Sequence, residues 1–318
     1  MEIIRGIDNL RKPLKNPVVT LGNFDGVHLG HQRIFEKVKA EARRVGGESM
    51  VITFEPHPLK ILSPNQCPPL LTPFRKKMWL LEKTGVEKVL CIHFTQAFSE
   101  LSPFEFVKNI LVDQVGAQKV YIGYNYRFGK GKAGDATALK EICGQFGVEV
   151  EVVEALTVGE IVVSSSKIRE LIKEGDVKRA ASLLGRPYPV FGRVIEGAKR
   201  GHLLGFPTAN LEMGEELYPK PGVYAVRVAW QGKEFKGVAN MGFNPTFEAN
   251  ALSLEIHLLN FQGDLYGEEL QVSFVERIRD EIRFPSTEAL ITQIKNDIAW
   301  AERNVFGING SISRTSPI

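Results

Sequence analysis

The sequence is poor in cysteine. Its three cysteines, Cys67, Cys91 and Cys143, lie far apart and form no Cys-x-x-Cys pair. Neither a zinc knot nor a disulfide framework is therefore indicated. Few and unpaired cysteines are typical of a reducing compartment, so the predicted location is the cytoplasm.

Long apolar runs and a strong net charge are also missing. No run approaches the roughly 18 consecutive apolar residues of a membrane span, and the stretch from Met1 to Arg5 has no apolar core of a signal peptide. The net charge of +3 is too small to indicate nucleic-acid binding. We therefore expect no membrane or nucleic-acid partner. We also predict small-molecule substrates and a monomer or weak homo-oligomer, neither of which follows from the composition.

The remaining composition, 43% hydrophobic and 24% charged, is that of an ordinary globular protein. A length of 318 residues favours two domains, and the periodicity changes at Gly185-Arg186-Pro187. We predict a first domain at 1–185, a second at 186–306, and a disordered tail at 307–318.

Strand-like and helical patterns alternate before this change, which predicts a parallel sheet covered on both faces. The strand-like runs are 18–21, 50–54, 89–94, 119–123 and 148–153, and the helical patterns are 32–44, 74–84, 103–115 and 136–146. The second half has mainly strand-like runs, at 191–195, 223–230, 235–240, 252–259 and 270–275, followed by a helix from Thr287. It is predicted to be a small antiparallel sheet or barrel.

Two histidines, His28 and His31, follow the first strand where a helix begins. The amides and dipole of such a helix start attract phosphate, and Gly30 lets a ligand approach the backbone. Surface histidines or half of a metal site are the alternatives. His-x-Gly-His, preceded by Gly-x-Phe-Asp-Gly, resembles the nucleotidyltransferase superfamily that transfers AMP from ATP. The resemblance implies that His28 and His31 are catalytic, stabilising phosphate charge, and that Gly22, Phe24 and Gly30 bind ATP.

Three serines, Ser164, Ser165 and Ser166, precede another helix, and Arg169 lies one turn into it. A plain N-cap is the simple interpretation, but three hydroxyls and a guanidinium also suit a triphosphate. The stretch resembles the Ser-Ser-Thr-x-x-Arg element of the same superfamily, with Ser166 in place of Thr. The resemblance implies that all four residues contact ATP.

The second half centres on the glycine-rich stretch from Gly197 to Asn210, which by itself also fits a surface loop. Its Gly-Phe-Pro-Thr-Ala-Asn ending resembles the riboflavin kinase family. The resemblance implies that Gly197 and Gly201 belong to a loop around the ATP phosphates. It also implies that Thr208 and Asn210 bind the magnesium nucleotide, since their oxygens are donors of the kind that Mg²⁺ prefers.

Glu255 alternates with the apolar residues Leu254 and Ile256 in a predicted strand, so it faces the opposite side. A solvated surface carboxylate is the simple interpretation. The riboflavin kinase resemblance implies instead that Glu255 is the catalytic base, taking a proton from the ribityl hydroxyl. His257 shares this face, with no role assigned.

Further polar residues follow the strands of the first half. His57 and Pro58 come after the second strand, and Asn125 and Arg127 come after the fourth. Carboxyl ends of parallel strands form one edge, where ligands bind. We expect these residues to contact flavin or nucleotide, Asn125 at a ring edge and Arg127 at a phosphate. A flexible charged loop is the alternative for the last two, and the P-loop pattern is missing.

The two resemblances together cover nearly the whole chain and identify it as similar to the bifunctional bacterial riboflavin kinase/FAD synthetase family. The family implies an α/β fold, with a Rossmann-like nucleotidyltransferase domain and a small antiparallel β-barrel with a terminal helix. It also implies conversion of riboflavin and ATP to FMN, then of FMN and ATP to FAD and pyrophosphate, with Mg²⁺. The residues alone indicate only a phosphate-handling α/β domain and a small β domain. Two alternatives are another nucleotidyltransferase with an accessory β domain and a non-catalytic flavin-binding module.

Overall fold

The computed structural model describes residues 1–10, 13–197, 204–243 and 252–307. The chain divides into two compact units, Met1–Ser165 and Ser166–Ile318. The tail predicted to be disordered lies outside the described residues except for Gly307, and so does the predicted ATP contact Gly201.

The first unit contains a parallel sheet in which six strands are seen among the described residues. The strands are β1 Glu2–Arg5, β2 Val18–Leu21, β3 Ser49–Glu55, β4 Lys88–His93, β5 Lys119–Gly123 and β6 Glu149–Val153, in the order β1-β4-β3-β2-β5-β6. The direction of strand progression reverses between β2 and β5, so the end of β2 lies at the point where ligands bind in open α/β sheets.

Helices cover both faces of this sheet, as predicted. They are α1 Leu29–Arg44, α2 Pro58–Leu62, α3 Phe74–Lys83, α4 Gln96–Ser99, α5 Pro103–Glu105, the π-helical segment Phe106–Gln114 and α6 Ala136–Gly144. Val51 packs with Phe35 and Leu81 on one face, whereas Ile52 packs with Leu111 on the other. Both faces of β3 are therefore buried, which explains why its sequence is almost continuously apolar.

Two features of the first unit differ from the sequence prediction. The segment predicted as one helix over 103–115 is a three-residue α5 followed by π-helix. Two elements were not predicted from the sequence: edge strand β1, and the hairpin formed by β7 Thr157–Val158 and β8 Ile161–Val162. In β1 only Ile4 is buried, so the strand carries little apolar pattern.

The second unit contains a closed antiparallel barrel, as predicted. It is preceded by α7 Ser165–Glu174 and α8 Val177–Leu184, and its strands are β9 Tyr188–Ile195, β10 Ala209–Leu211, β11 Gly222–Trp230, β12 Lys233–Phe243, β13 Leu252–Leu258 and β14 Glu269–Arg279. The strand order β10-β13-β12-β11-β14-β9 closes on itself. Tyr224, Leu254, Ile256 and Phe274 are fully buried inside it.

Helices α7 and α8 belong to the second unit apart from Ser165, although the boundary predicted at residue 185 would place them in the first domain. Helix α8 packs on β9 and β14, and it ends at Gly185, whose φ of +74° is the left-handed cap expected for glycine. The predicted boundary stays a prediction.

The last helix, α9 Thr287–Asn304, begins where the sequence indicated, and its cap Ser286 accepts a hydrogen bond from the Ala289 amide. The predicted stripe is only half-buried; it consists of Leu290, Ile291, Ile294 and Ile298. The buried residues of the helix are instead Asp297 and Ala301. Asp297 accepts hydrogen bonds of 2.8–3.0 Å from the Arg279 guanidinium at the end of β14. Pairing with a planar guanidinium allows this carboxylate to be buried. None of the described helices is long and apolar enough to cross a membrane.

Candidate active sites

The turn between β2 and α1 has an unusual backbone. Phe24, Gly26 and Val27 all have positive φ values, of +49°, +88° and +42°. Only glycine adopts this region without strain, and each of the other residues costs on the order of 1–3 kcal/mol there. The strain is concentrated just before the two predicted catalytic histidines, which is typical of a functional turn. Residues 22–31 are called the histidine turn below.

His28 and His31 are brought together at the start of α1. His28 is the N-cap, and its Nδ1 accepts a hydrogen bond of 3.3 Å from the His31 backbone amide. The two imidazole rings stack with centroids 3.5 Å apart, and His28 is buried. Because Nδ1 accepts a hydrogen bond, a neutral His28 carries its proton on Nε2, which can donate to a phosphate oxygen.

The glycines predicted to bind ATP lie against side chains of the protein itself. A Cβ on Gly22 would lie 3.0 Å from Cζ of Phe24, and one on Gly30 would lie 3.2 Å from Nδ1 of His28. The Phe24 ring in turn packs edge-on against His31, at 5.1 Å. These two glycines therefore leave room for the rings that form the histidine turn. Their contact with ATP stays a prediction.

Asp25 holds the histidine turn in place, a role that the sequence analysis missed. Its carboxylate is buried and accepts hydrogen bonds from the Leu71 amide at 3.1 Å, and from the amide and hydroxyl of Thr72 at 2.8 Å each. The Thr72 hydroxyl also accepts a 2.9 Å bond from the Gly26 amide. Several bonds to one buried carboxylate compensate for its desolvation. In the sequence, the Gly-x-Phe-Asp-Gly pattern contributed to the family resemblance but indicated no role for Asp25.

Of the predicted serines, Ser165 is brought to the histidine turn. Its hydroxyl donates a 2.8 Å hydrogen bond to the carbonyl of Asp25, and Ser164 is the preceding residue. Ser166 and Arg169 continue α7 in the second unit. ATP contact by these four residues stays a prediction.

His57 is linked to the histidine turn through Asn23. It caps α2, with its Nδ1 accepting a 3.2 Å bond from the Leu59 amide, and its Nε2 lies 3.3 Å from the side-chain amide of Asn23. Pro58 is the first residue of that helix, where its missing N–H is tolerated. The ends of β2 and β3 thus meet at one edge, as the sequence predicted.

Asn125 and Arg127 lie on an exposed loop after β5. The Arg127 guanidinium is paired with the Asp135 carboxylate at 3.2 Å, and both side chains are about half exposed. Phe128, in contrast, is buried in the core. Binding of flavin or nucleotide by the first two residues stays a prediction, and a phosphate would compete with Asp135 for Arg127.

In the barrel, Glu255 lies between two asparagines on neighbouring strands. It is directly opposite Asn210 on β10 and Asn240 on β12 in the strand register. The adjacent residues Leu254 and Ile256 fill the barrel interior, so Glu255 faces outwards, as the alternation predicted. Side chains directly opposite one another have Cβ atoms roughly 4.5–5.5 Å apart. The predicted catalytic base and a predicted metal ligand are therefore neighbours.

Two contacts fix the residues around Thr208. Gly197 lies against Asn210, because a Cβ on this glycine would come within 2.0 Å of the Asn210 side-chain nitrogen. The Nδ1 of His257 lies 2.9 Å from the carbonyl of Pro207, which accepts its hydrogen bond. His257, which had no predicted role, thus holds the peptide that precedes Thr208. In the sequence, its position on the same strand face as Glu255 and its match to the riboflavin kinase pattern were the signals.

Two family models match separate stretches of the chain. The family model described as FAD synthetase matches residues 10–167, and the one described as riboflavin kinase matches residues 184–305. A structure from Streptococcus pneumoniae, named as a macrolide-efflux protein, has the same fold with a TM-score of 0.87 and 32% identity. The match covers 96% of this chain and 99% of that one.

Curated relatives match along almost their whole length. The chain is 37% identical over 310 residues to the bifunctional riboflavin kinase/FMN adenylyltransferase of Escherichia coli strain K12, with 97% of this chain and 99% of the relative covered. It is 40% identical over 302 residues to the protein of the same name from Pseudomonas fluorescens, with 95% and 97% covered. The chain therefore belongs to the family of bifunctional riboflavin kinases/FMN adenylyltransferases.

Proposed function

We propose that each of the two sites catalyses one of the two reactions of this bifunctional transferase. Riboflavin is phosphorylated to FMN beside Glu255 on the barrel, and FMN is adenylylated to FAD at the histidine turn. The observation that carries this division is that the two families match separate stretches of the chain, each of which holds one cluster of site residues. ATP, riboflavin and FMN are the substrates.

In the kinase reaction, the Glu255 carboxylate accepts the proton of the ribityl hydroxyl as that oxygen attacks the γ-phosphorus of ATP. The bond from this phosphorus to the bridging oxygen breaks, and ADP leaves. A carboxylate held rigidly between neighbouring strands suits this role, because a general base must lie within hydrogen-bond reach of the proton. Asn210, the proposed ligand of the magnesium nucleotide, is directly opposite the base in the strand register.

In the adenylyl transfer, a phosphate oxygen of FMN attacks the α-phosphorus of the second ATP, and pyrophosphate leaves. No covalent enzyme intermediate is needed. The N–H groups of His28 and His31 and the amides at the start of α1 stabilise the charge that develops on the phosphates. Asp25 preorganises these donors by fixing the turn that carries them.

We also propose Mg²⁺ as the metal of the kinase reaction, held with ATP by the Thr208 hydroxyl and the Asn210 amide oxygen. Within the described ranges, no group of three His, Cys, Asp or Glu side chains could hold a metal ion. Mg²⁺ is commonly bound by few protein oxygens together with water and substrate phosphates, and a hydroxyl and an amide oxygen are donors of this kind. When bound, it neutralises charge on the transferred phosphate.

Replacing Thr208 by Val keeps the shape of the side chain and removes its oxygen. We expect FMN formation by Thr208→Val to require a higher Mg²⁺ concentration, because one donor to the metal nucleotide is lost, whereas FAD formation from FMN should be unchanged. Initial rates over a Mg²⁺ titration measure this. Thr292→Val, in α9, is the matched control. A Mg²⁺ dependence equal to that of the parent would exclude Thr208 as a ligand.

A time course tests the proposed function as a whole. The protein is mixed with riboflavin, ATP and Mg²⁺, and the flavins are separated by chromatography at intervals. We expect FMN to appear before FAD. Unchanged riboflavin at saturating ATP would refute the kinase reaction. FAD made from supplied FMN, but never from riboflavin, would instead favour an adenylyltransferase with an accessory β domain.

The predicted location and assembly are part of the same proposal. Cys67, Cys91 and Cys143 are all free thiols, which is consistent with a reducing cytoplasm. We propose that the enzyme acts there on small molecules, without nucleic acid, as a monomer or weak homo-oligomer.

A further inference from the structure

Helix α3 contains a lysine that is almost completely buried. Lys77 lies in the first turn of the helix, and only 4% of its surface is exposed. Lysine is rarely buried to this degree unless its ammonium is paired, because removing a charge from water is costly. The groups around the Lys77 ammonium therefore need to be identified.

Lys77 lies at the edge of the sheet where the strands end. The titratable groups that act on it are Glu55, the last residue of β3, then Asp25 in the histidine turn and Cys91 on β4. The loop that leads into α3 is the one that Asp25 holds, through Thr72. The Lys77 ammonium is thus close to the turn that carries the catalytic histidines.

Nothing in the described part of the chain pairs with this ammonium. No carboxylate oxygen there lies within 4.0 Å of the Lys77 Nζ, and no hydrogen bond to it is formed. The Asp25 carboxylate is already bound to Leu71 and Thr72. Burial lowers the pKa of Lys77, although the charges of Glu55 and Asp25 oppose this shift. If Lys77 formed a structural ion pair, its ammonium would touch the partner carboxylate, because only a close contact offsets the desolvation of a buried ion pair.

Lys77 has a buried stem, and its ammonium has no contact partner among the described residues. Such a cation at a substrate-binding edge points to an anion supplied by the substrate. Both substrates of the adenylyl transfer carry phosphate: ATP a triphosphate and FMN a monophosphate. We propose that Lys77 binds a phosphate oxygen of one of these two substrates at the edge formed by β2 and β3.

Lysine suits this role because its ammonium is a compact point charge that binds phosphate oxygens. It also reduces the repulsion that the carboxylates of Asp25 and Glu55 would otherwise exert on an approaching phosphate. The proposal rests on adenylyl transfer at the histidine turn. It adds a positioning residue from a different element, α3, which the sequence motifs do not include.

The test compares Lys77→Met, which keeps most of the stem and removes the charge, with Lys83→Met at the far end of the same helix. KM for FMN and KM for ATP are measured in FAD formation from supplied FMN. We expect Lys77→Met to raise one of these values by about tenfold or more, the loss of one charge-assisted hydrogen bond. A raised KM for FMN identifies the FMN phosphate, and a raised KM for ATP identifies the triphosphate.

A phosphate-free flavin separates binding from folding. Lumiflavin carries the flavin ring without the ribityl phosphate, so its inhibition constant in FAD formation should be the same in Lys77→Met as in the parent. Lys77→Arg should recover part of the lost affinity, since it restores the positive charge. The proposal would be overturned if Lys77→Met had the parental KM values for both FMN and ATP. It would also be overturned if the inhibition constant of lumiflavin rose as much as the KM of the affected substrate. If the parent made no FAD from FMN, the proposed adenylyl transfer itself would fail.

Discussion

Replacing Glu255 by Gln should nearly abolish phosphorylation of riboflavin. The amide has the size of the carboxylate and preserves the strand register with Asn210 and Asn240, but it cannot accept the ribityl proton at neutral pH. We expect FMN formation to fall about a hundredfold to ten-thousandfold, the range for loss of a general base. The variant is given riboflavin in one reaction and FMN in another, each with ATP and Mg²⁺, and the flavins are separated by chromatography.

FAD formation from supplied FMN should continue in this variant, because the proposed site of that chemistry is the histidine turn. Glu234→Gln is a matched control, since Glu234 is an exposed carboxylate on β12 that pairs with Arg227. It should leave both activities unchanged. Near-normal FMN production by Glu255→Gln would remove Glu255 from the mechanism. Loss of FAD production from FMN would show that the two sites do not work independently.

The sheet of the first unit could be predicted because its inner strands are buried on both faces. In β2 all four residues from Val18 to Leu21 are buried, and six of the seven residues of β3 are. A strand that is buried on both faces is almost continuously apolar, so it can be recognised without knowing which strands pair with it. β1 was missed for the opposite reason. It is an edge strand with a single buried residue, Ile4, and its pairing with β4 is decided by a segment more than 80 residues away in sequence.

In the barrel, the strand in the Gly-Phe-Pro-Thr-Ala-Asn stretch also could not be predicted from the local sequence. By its local sequence this stretch fits a glycine-rich loop, yet Ala209–Leu211 forms strand β10. Three residues are too few for a periodic pattern. The strand exists because Asn210 pairs with Glu255 on one side and with Ile195 on the other, and both partners are distant in sequence.

Some of the site residues could be predicted from the sequence, and others could not. His28, His31 and Glu255 could be named from the sequence, because their motifs have a fixed local spacing. Asp25 and Lys77 could not be assigned a role, since each depends on contacts with other segments. Lys77 follows two other basic residues in a helix, a pattern typical of a solvated helix surface, and only the packing of α3 at the sheet edge buries it.

The two sites share one principle of construction. At the histidine turn, Asp25 binds backbone amides of a neighbouring loop and so fixes the segment that carries His28 and His31. On the barrel, His257 binds the carbonyl of Pro207 and fixes the segment that carries Thr208. In each case a side chain with no proposed part in the reaction holds the backbone of residues that are proposed to take part in it. Preorganisation of this kind is what electrostatic stabilisation of a transferred phosphate requires.

Substitution of His28 should separate its two roles, as the helix cap and as a donor to phosphate. His28→Ala removes both roles. His28→Asn keeps a side-chain oxygen that can accept the His31 amide, since asparagine is a good N-cap, but it lacks the imidazole. We expect both variants to lose about a hundredfold or more of FAD formation, the scale for a preorganised charge-stabilising donor. His31→Ala should lose a similar amount.

Stability should distinguish the two His28 variants where activity does not. His28→Ala should lower the free energy of unfolding by about 1 kcal/mol through loss of the cap, whereas His28→Asn should stay close to the parent. FAD formation from FMN, FMN formation from riboflavin and thermal unfolding are measured on each protein, and FMN formation should survive in all of them. Parental FAD formation by His28→Asn would mean that His28 acts only as a cap. Equal loss of both activities would mean that the substitution disturbs more than the adenylyl transfer, because the proposed kinase base, Glu255, lies on a barrel strand.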